Sequence, residues 1–133
     1  MLAAIADTHT VIWYLYDDPR LSAIARVVLT EAVERGNQIG MSAISLAEIV
    51  YLSEKGRINS QVFARLLAAL DLSDALLVEL PFDRGIAVRL PDIDRAQVPD
   101  LPDRIIAATA RSRGLPLITR DHKIRVSGLP TIW

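Results

Sequence analysis

Four carboxylates stand where they could act together. Asp7 follows an apolar run, in Ile5-Ala6-Asp7-Thr8-His9, and Glu48 closes Ser42-Ala-Ile-Ser45-Leu-Ala-Glu48. Asp103 opens Asp103-Arg-Ile-Ile-Ala-Ala-Thr-Ala, and Asp121 ends Leu117-Ile-Thr119-Arg-Asp121. Each has a purely structural explanation when taken singly. Ser45-x-x-Glu48 has capping-box spacing. Asp100 or Asp103 can cap the helix that follows, and Asp7 and Asp121 can do the same for theirs. Taken jointly, the four are harder to explain as caps. Carboxylates brought into one site repel and raise one another's pKa values, and Ser, Thr or Asn would cap without that penalty. A divalent cation removes the repulsion, and magnesium or manganese favours such hard oxygen ligands, with waters completing an octahedron. The chain has no cysteine and two histidines, which argues against zinc.

Bringing these residues together requires a particular order of elements. Leu2–Ala6 reads as a strand, followed by a helical pattern around Val11, Ile12 and Leu15. Ser22–Arg35 places Ile24, Val27, Val28 and Ala32 on one helical face and stops at Gly36-Asn37. Gln38–Met41 is a second strand, and Ser42–Glu54 and Ser60–Leu70 are helices. Ala75–Leu80 is a continuous apolar stretch, expected to be a strand covered on both faces. Asp83–Leu90 is a short helix, and Pro91–Pro102 is an irregular loop with at most one helical turn. Asp103–Arg113 is a helix closed by Gly114, Pro116–Thr119 a strand, Asp121–Val126 a helical turn and Thr131–Trp133 a last strand. Parallel strands need crossover connections, so this alternation predicts a three-layer α/β/α sandwich around a mostly parallel sheet of four or five strands. In such sheets functional groups gather beyond the carboxyl ends of the strands, where the four acids fall.

At 133 residues, with 51% apolar and 23% charged residues, the chain fits one domain over residues 1–133. Its mean hydropathy of +0.28 suits a dimer or a bound partner. The longest apolar runs, Val11 to Tyr16 and the equally long Met1 to Ala6, are far below the ~20 residues of a membrane span. No basic segment precedes the N-terminal apolar residues, so the expected location is cytoplasmic. Net charge is −1, but residues 71–100 carry −4 and residues 103–125 carry +4. The latter segment holds Arg104, Arg111, Arg113, Arg120, Lys123 and Arg125, either a solvated surface or a face that tracks a polyanion. Trp13, Tyr14 and Tyr16 read as packing residues, as does Trp133, and His9 as part of a local helix start.

Asp7-Thr8-His9 with Trp13, Ser45-x-x-Glu48-Ile49, Asp100-x-x-Asp103-Arg104-Ile-Ile-Ala-Ala-Thr-Ala and Leu117-Ile-Thr-Arg-Asp121 together resemble the PIN-domain family. Within it they resemble the VapC-type toxins of toxin–antitoxin pairs. The likeness covers essentially the whole chain in order. It implies that Asp7, Glu48, Asp103 and Asp121 form an acidic quartet for Mg2+ or Mn2+, with Thr119 as the hydroxyl residue beside the last acid. It further implies metal-dependent endoribonuclease activity, a homodimer and a VapB-like antitoxin partner. Many relatives place a histidine shortly before the Asp-x-x-Asp-Arg segment, where this chain has Gln97-Val98-Pro99. The chemistry agrees with the residue types. A bound divalent cation activates water and polarises a phosphate, so carboxylates suffice without a nucleophilic side chain. Asp7, Asp103 and Asp121 are the expected ligands, and Glu48 either a further ligand or the base that orients the attacking water. RNA contacts are expected from Thr119, Arg104, Arg120 and Lys123. Arg104 could equally pair structurally with an acid.

Two other readings are weaker. A receiver-like signalling domain also sets carboxylates at strand ends, but here only Asp7 follows the first strand and Lys123 comes after the last acid. A dinucleotide fold needs Gly-x-Gly-x-x-Gly, an arrangement the six glycines do not form. A non-catalytic interaction module on the same fold is the main alternative, and the presence of all four acids disfavours it.

Overall fold

The computed structural model describes residues 1–125 and 127–133. In chain order its elements are β1 (Leu2–Ala6), α1 (Thr8–Leu15), α2 (Ala23–Glu34), β2 (Gln38–Ser42), α3 (Ile44–Glu54), α4 (Val62–Leu70) and β3 (Leu77–Leu80). There follow α5 (Arg84–Ala87), a 3-10 turn at Leu90–Asp92, α6 (Leu101–Arg113), β4 (Leu117–Ile118), α7 (His122–Arg125) and β5 (Thr131–Ile132). Among the described residues five strands form one sheet in the order β3-β2-β1-β4-β5. All four strand pairings are parallel, with Ile5 opposite Gly40 on one side and Leu117 on the other. The predicted turn at Asp121–Val126 forms as α7, and Val126 lies outside the described residues.

Alternation along each strand divides the apolar interior into two layers. Ala4, Ala6, Ile39, Met41, Leu77 and Ile118 face one side, where α1 to α4 supply Val11, Leu29, Ile49, Val62 and Leu66. Ile5, Leu80 and Leu117 face the other, against Ile86 and the buried run Ile105–Ala110 of α6. That run is rich in alanine, so α6 lies close against the sheet. Burying a side chain the size of Ile106 contributes about 1.5–3 kcal/mol. Gly40 matters to the same close fit, since a Cβ there would stand 2.8 Å from both Ile5 Cδ1 and Leu80 Cδ1.

Two elements differ from the sequence expectation. In α2 the buried face is Ala25, Leu29 and Ala32, while Ile24 and Val27 are 59% and 55% exposed. The small Ala25 and Ala32 let the helix approach the sheet, which turns the bulkier residues outward. β3 is an edge strand in which Glu79 is exposed, rather than a strand covered on both faces.

Candidate functional site

The chain passes from β1 to β2 and β3 on one side and returns to lay β4 and β5 on the other. The crevice at such a reversal opens beyond the carboxyl ends of the central strands. Asp7 begins there, its backbone N–H donating to Ile118 O at 3.1 Å. The Thr10 hydroxyl donates to the same carbonyl at 3.0 Å, so the loops after β1 and β4 are tied together. Asp7 Oδ1 accepts the Thr10 N–H at 2.9 Å and caps α1. Asp100 Oδ2 accepts the Asp103 N–H at 3.1 Å and caps α6. Asp121 Oδ1 accepts the Lys123 N–H at 2.9 Å. Each of these bonds engages one oxygen of its carboxylate.

Glu48 does not form the capping box that its spacing suggests. Helix α3 runs from Ile44, two residues after the expected start but ahead of a cap at Ser45, and its N-cap residue Ala43 makes no side-chain cap bond. Ser45 is therefore inside the helix, and Glu48, one turn on, reaches α1 instead. The Thr8 hydroxyl donates to Glu48 Oε1 at 2.5 Å. Thr8 has only one hydroxyl proton, so the 2.8 Å contact between Ser45 and Thr8 is donated by Ser45. This relay orients Glu48 from two helices.

Asp7, Glu48, Asp100, Asp103 and Asp121 line one cavity of about 500 Å3, together with Thr8, His9, Trp13, Arg20 and Arg120. Burial pushes the Asp103 carboxyl up to about 8, reinforced by the charges of Asp100, Asp121 and Glu48 and by the approach of the Asp121 carboxylate, which favours a shared proton. Burial likewise raises Glu48, against the lowering effect of the Thr8 hydrogen bond, with Asp100 and Asp7 adding to the rise. These carboxylates are under mutual repulsion that a cation would relieve, and an all-oxygen donor set suits magnesium or manganese. Among the described residues no three His, Cys, Asp or Glu side chains stand close enough together to form a closed cage. The donor chemistry fits a hard divalent cation. A larger groove of about 700 Å3 between α1, α2 and α4, lined by Tyr14, Leu29 and Val33, lacks such a cluster.

The structure separates the residues expected to bind substrate. Arg120 is on the cavity rim. Arg104 is not: its guanidinium donates to Leu90 O at 2.9 Å and Ile93 O at 3.1 Å. It follows Asp103 in a helix, so it points about 100° away, and it pins the preceding loop to α6. Thr119 is fully buried, and its hydroxyl accepts the Asp121 N–H at 3.0 Å, so it positions that acid and is closed to solvent. Lys123 is exposed and does not line the cavity. The basic segment is not one face either. Arg111 and Arg113 sit at the carboxyl end of α6, the opposite end from Asp103, where they complement the helix dipole.

Sequence reasoning treated Asp100 only as a cap. The signal was the Asp100-x-x-Asp103 spacing, which sets two acids one turn apart at a helix start. Arg20 was missed altogether, because it lies in a loop with no motif. His9 also lines the cavity, with its ring 5.6 Å from that of Trp13.

The family model for the PIN domain matches residues 4–127. The chain belongs to the PIN-domain family. Along its full length this PIN domain is 27% identical to Ribonuclease VapC22 of Mycobacterium tuberculosis, covering all of both chains. Its fold is similar to that in DNA-bound VapBC from Salmonella typhimurium, at a TM-score of 0.68 and 26% identity, over 98% of this chain and 97% of that one. It is also similar to VapBC2 from Rickettsia felis bound to a promoter fragment, at a TM-score of 0.71 and 20% identity over 98% and 97%. No helix among the described residues is long and apolar enough to cross a membrane.

Proposed function

We propose that this PIN domain is a metal-dependent endoribonuclease, the toxin of a VapBC-type pair, neutralised by a VapB-like antitoxin and assembled as a homodimer. The observation that carries the reading is the convergence of five carboxylates at the sheet's reversal point, with Asp103 held up to about 8. Full-length similarity to a ribonuclease and to toxin–antitoxin complexes supports the substrate class and the partner.

Asp7, Asp103 and Asp121 would hold Mg2+ or Mn2+, which when bound supplies an activated water and neutralises charge on the scissile phosphate. The chain's own groups do the rest. Asp7 and Asp121 are held by the backbone N–H groups they accept from, which lowers the ordering penalty for a ligand role. Glu48, oriented by Thr8, is placed to take the proton of the attacking water. Asp100 holds the first turn of α6 and adds negative charge that favours the cation.

The test is cleavage of a mixed pool of transfer and structured RNA by wild type and Asp7→Asn, with Mg2+, Mn2+ or EDTA. Cutting that needs the metal and disappears in the variant is expected. Cutting by Asp7→Asn in EDTA would overturn the mechanism. Absence of both cutting and metal binding in the wild type would favour a non-catalytic interaction module. Sedimentation of the isolated chain tests the dimer.

A further inference from the structure

Five carboxylates make the cavity a poor receptor for a polyanion, yet its rim carries two guanidinium groups on a single aromatic ring. Trp13 is 6% exposed. The guanidinium carbon of Arg20 lies 5.2 Å from its ring centroid and that of Arg120 lies 5.3 Å away. The two cations are therefore no further apart than the sum of those distances. Arg20 comes from the loop after α1 and Arg120 from the loop after β4, on two sides of the crevice.

Neither arginine is spent on the cavity acids. Arg20 Nε donates to Asp18 Oδ1 at 3.0 Å and its Nη2 to Asp18 Oδ2 at 2.8 Å, which leaves three of its five N–H groups free. No hydrogen bond or ion pair among the described residues engages Arg120. A planar, weakly hydrated guanidinium over an indole face is held by cation–π attraction while its unpaired edge stays open for bidentate contacts; in Arg20 Asp18 takes the Nε–Nη2 edge and leaves the Nη1–Nη2 edge. Such edges match phosphate oxygens. Two of them, preset at the mouth of a cavity lined by candidate metal ligands, fit a chain of phosphates better than a single anion.

We propose that Trp13 holds Arg20 and Arg120 as a bracket for the RNA phosphates neighbouring the one that is cut. The bracket rests on the endoribonuclease reading and adds the residues that position the strand. Arg20 and Arg120 donate to the flanking phosphates, and Trp13 acts through them as a positioning residue.

The experiment compares wild type, Arg20→Ala, Arg120→Ala, the double variant, Arg120→Lys and the exposed control Arg35→Ala. Two readouts are taken across several salt concentrations. One is Mn2+-dependent cleavage of a fluorescent single-stranded RNA, resolved into kcat and KM. The other is anisotropy of the same RNA with Ca2+ replacing Mn2+. Each alanine is expected to raise KM about ten-fold, with kcat changed less than about two-fold. Each also lowers the slope of log affinity against log salt by about 0.7. Arg120→Lys recovers part of the affinity, because charge returns without the fork or the stacking, and Arg35→Ala behaves as wild type. An unchanged KM and salt slope in the double variant overturns the bracket. If wild type does not cut even with Mn2+, the endoribonuclease reading fails separately, and anisotropy decides. Weaker, less salt-sensitive binding by the double variant sustains the bracket, and equal binding overturns it.

Discussion

Thr8 donates its hydroxyl proton to Glu48 at 2.5 Å, across 40 positions of sequence and from one helix to another. With Ser45 donating behind it, the bond fixes a half-buried carboxylate that would otherwise have several rotamers. Thr8→Val keeps the shape and removes the donor. Steady-state cleavage is expected to fall about ten-fold, mainly in kcat, and Thr8→Ser is expected to restore most of it. Equal kcat for Thr8→Val and wild type would remove Glu48 from the mechanism as a positioned base.

Asp7 and Asp103 separate catalysis from folding in different ways. Asp7→Asn retains an N-cap acceptor, so its thermal midpoint is expected to stay close to wild type, whereas Asp7→Ala loses about 1 kcal/mol. Asp103 caps nothing, and Asp103→Asn relieves repulsion, so the metal-free protein is expected to gain stability. Both Asn variants are expected to lose more than about 100-fold in cleavage. Thermal melts beside activity assays check each outcome.

The raised carboxyl of Asp103 links metal, pH and stability. Its folded value of about 8 lies above the ordinary 3.8, so its ionised form is the disfavoured one. The corresponding stability is fully present below about pH 4 and is lost as pH rises through 8. In EDTA the thermal midpoint should therefore decline across that window, from this group's contribution. On the proposed reading Mg2+ would replace the proton as counter-charge, so the shift it produces is expected to be larger at high pH than at low. A magnesium shift that is independent of pH would contradict this.

Arg104 is expected to behave as a structural residue. Removing its guanidinium takes a donor from the Ile93 carbonyl, leaves Leu90 O with only the Ile93 N–H at 3.0 Å, and unties the loop before α6. Denaturant unfolding of Arg104→Met is expected to show a loss of about 2–3 kcal/mol, while the KM of the folded fraction stays within about two-fold of wild type. A selective rise in KM would return Arg104 to the substrate.

The strands and most helices were legible because local signals agreed. Ser22 caps α2, Asp83 caps α5 and Gly114 closes α6 at a φ of 64°, each as its residue type suggests. The facing of α2 was not legible. Periodicity favours the bulky Ile24 and Val27, but close approach to the sheet selects the small Ala25 and Ala32. Asp7, Asp103 and Asp121 could be located from their places after strands and on a helix start, and Glu48 from the helix that follows β2. The direction of Arg104, the Thr8 link to Glu48 and the entry of Arg20 could not, since each depends on how helices and loops pack across long separations.

Asp7 and Asp121 each give one oxygen to the backbone, while among the described residues the Asp103 side chain accepts from no backbone donor. The consequence lies in how such a chain can be disarmed. On the proposed mechanism, a neutralising change at Asp103 would remove the cutting chemistry and leave the scaffold at least as sturdy as before. Any surface that recognises a partner then persists on an inert chain. Silent copies arising this way would compete with armed ones for the same partner, so harmlessness at that position would still have an effect on the rest of the population.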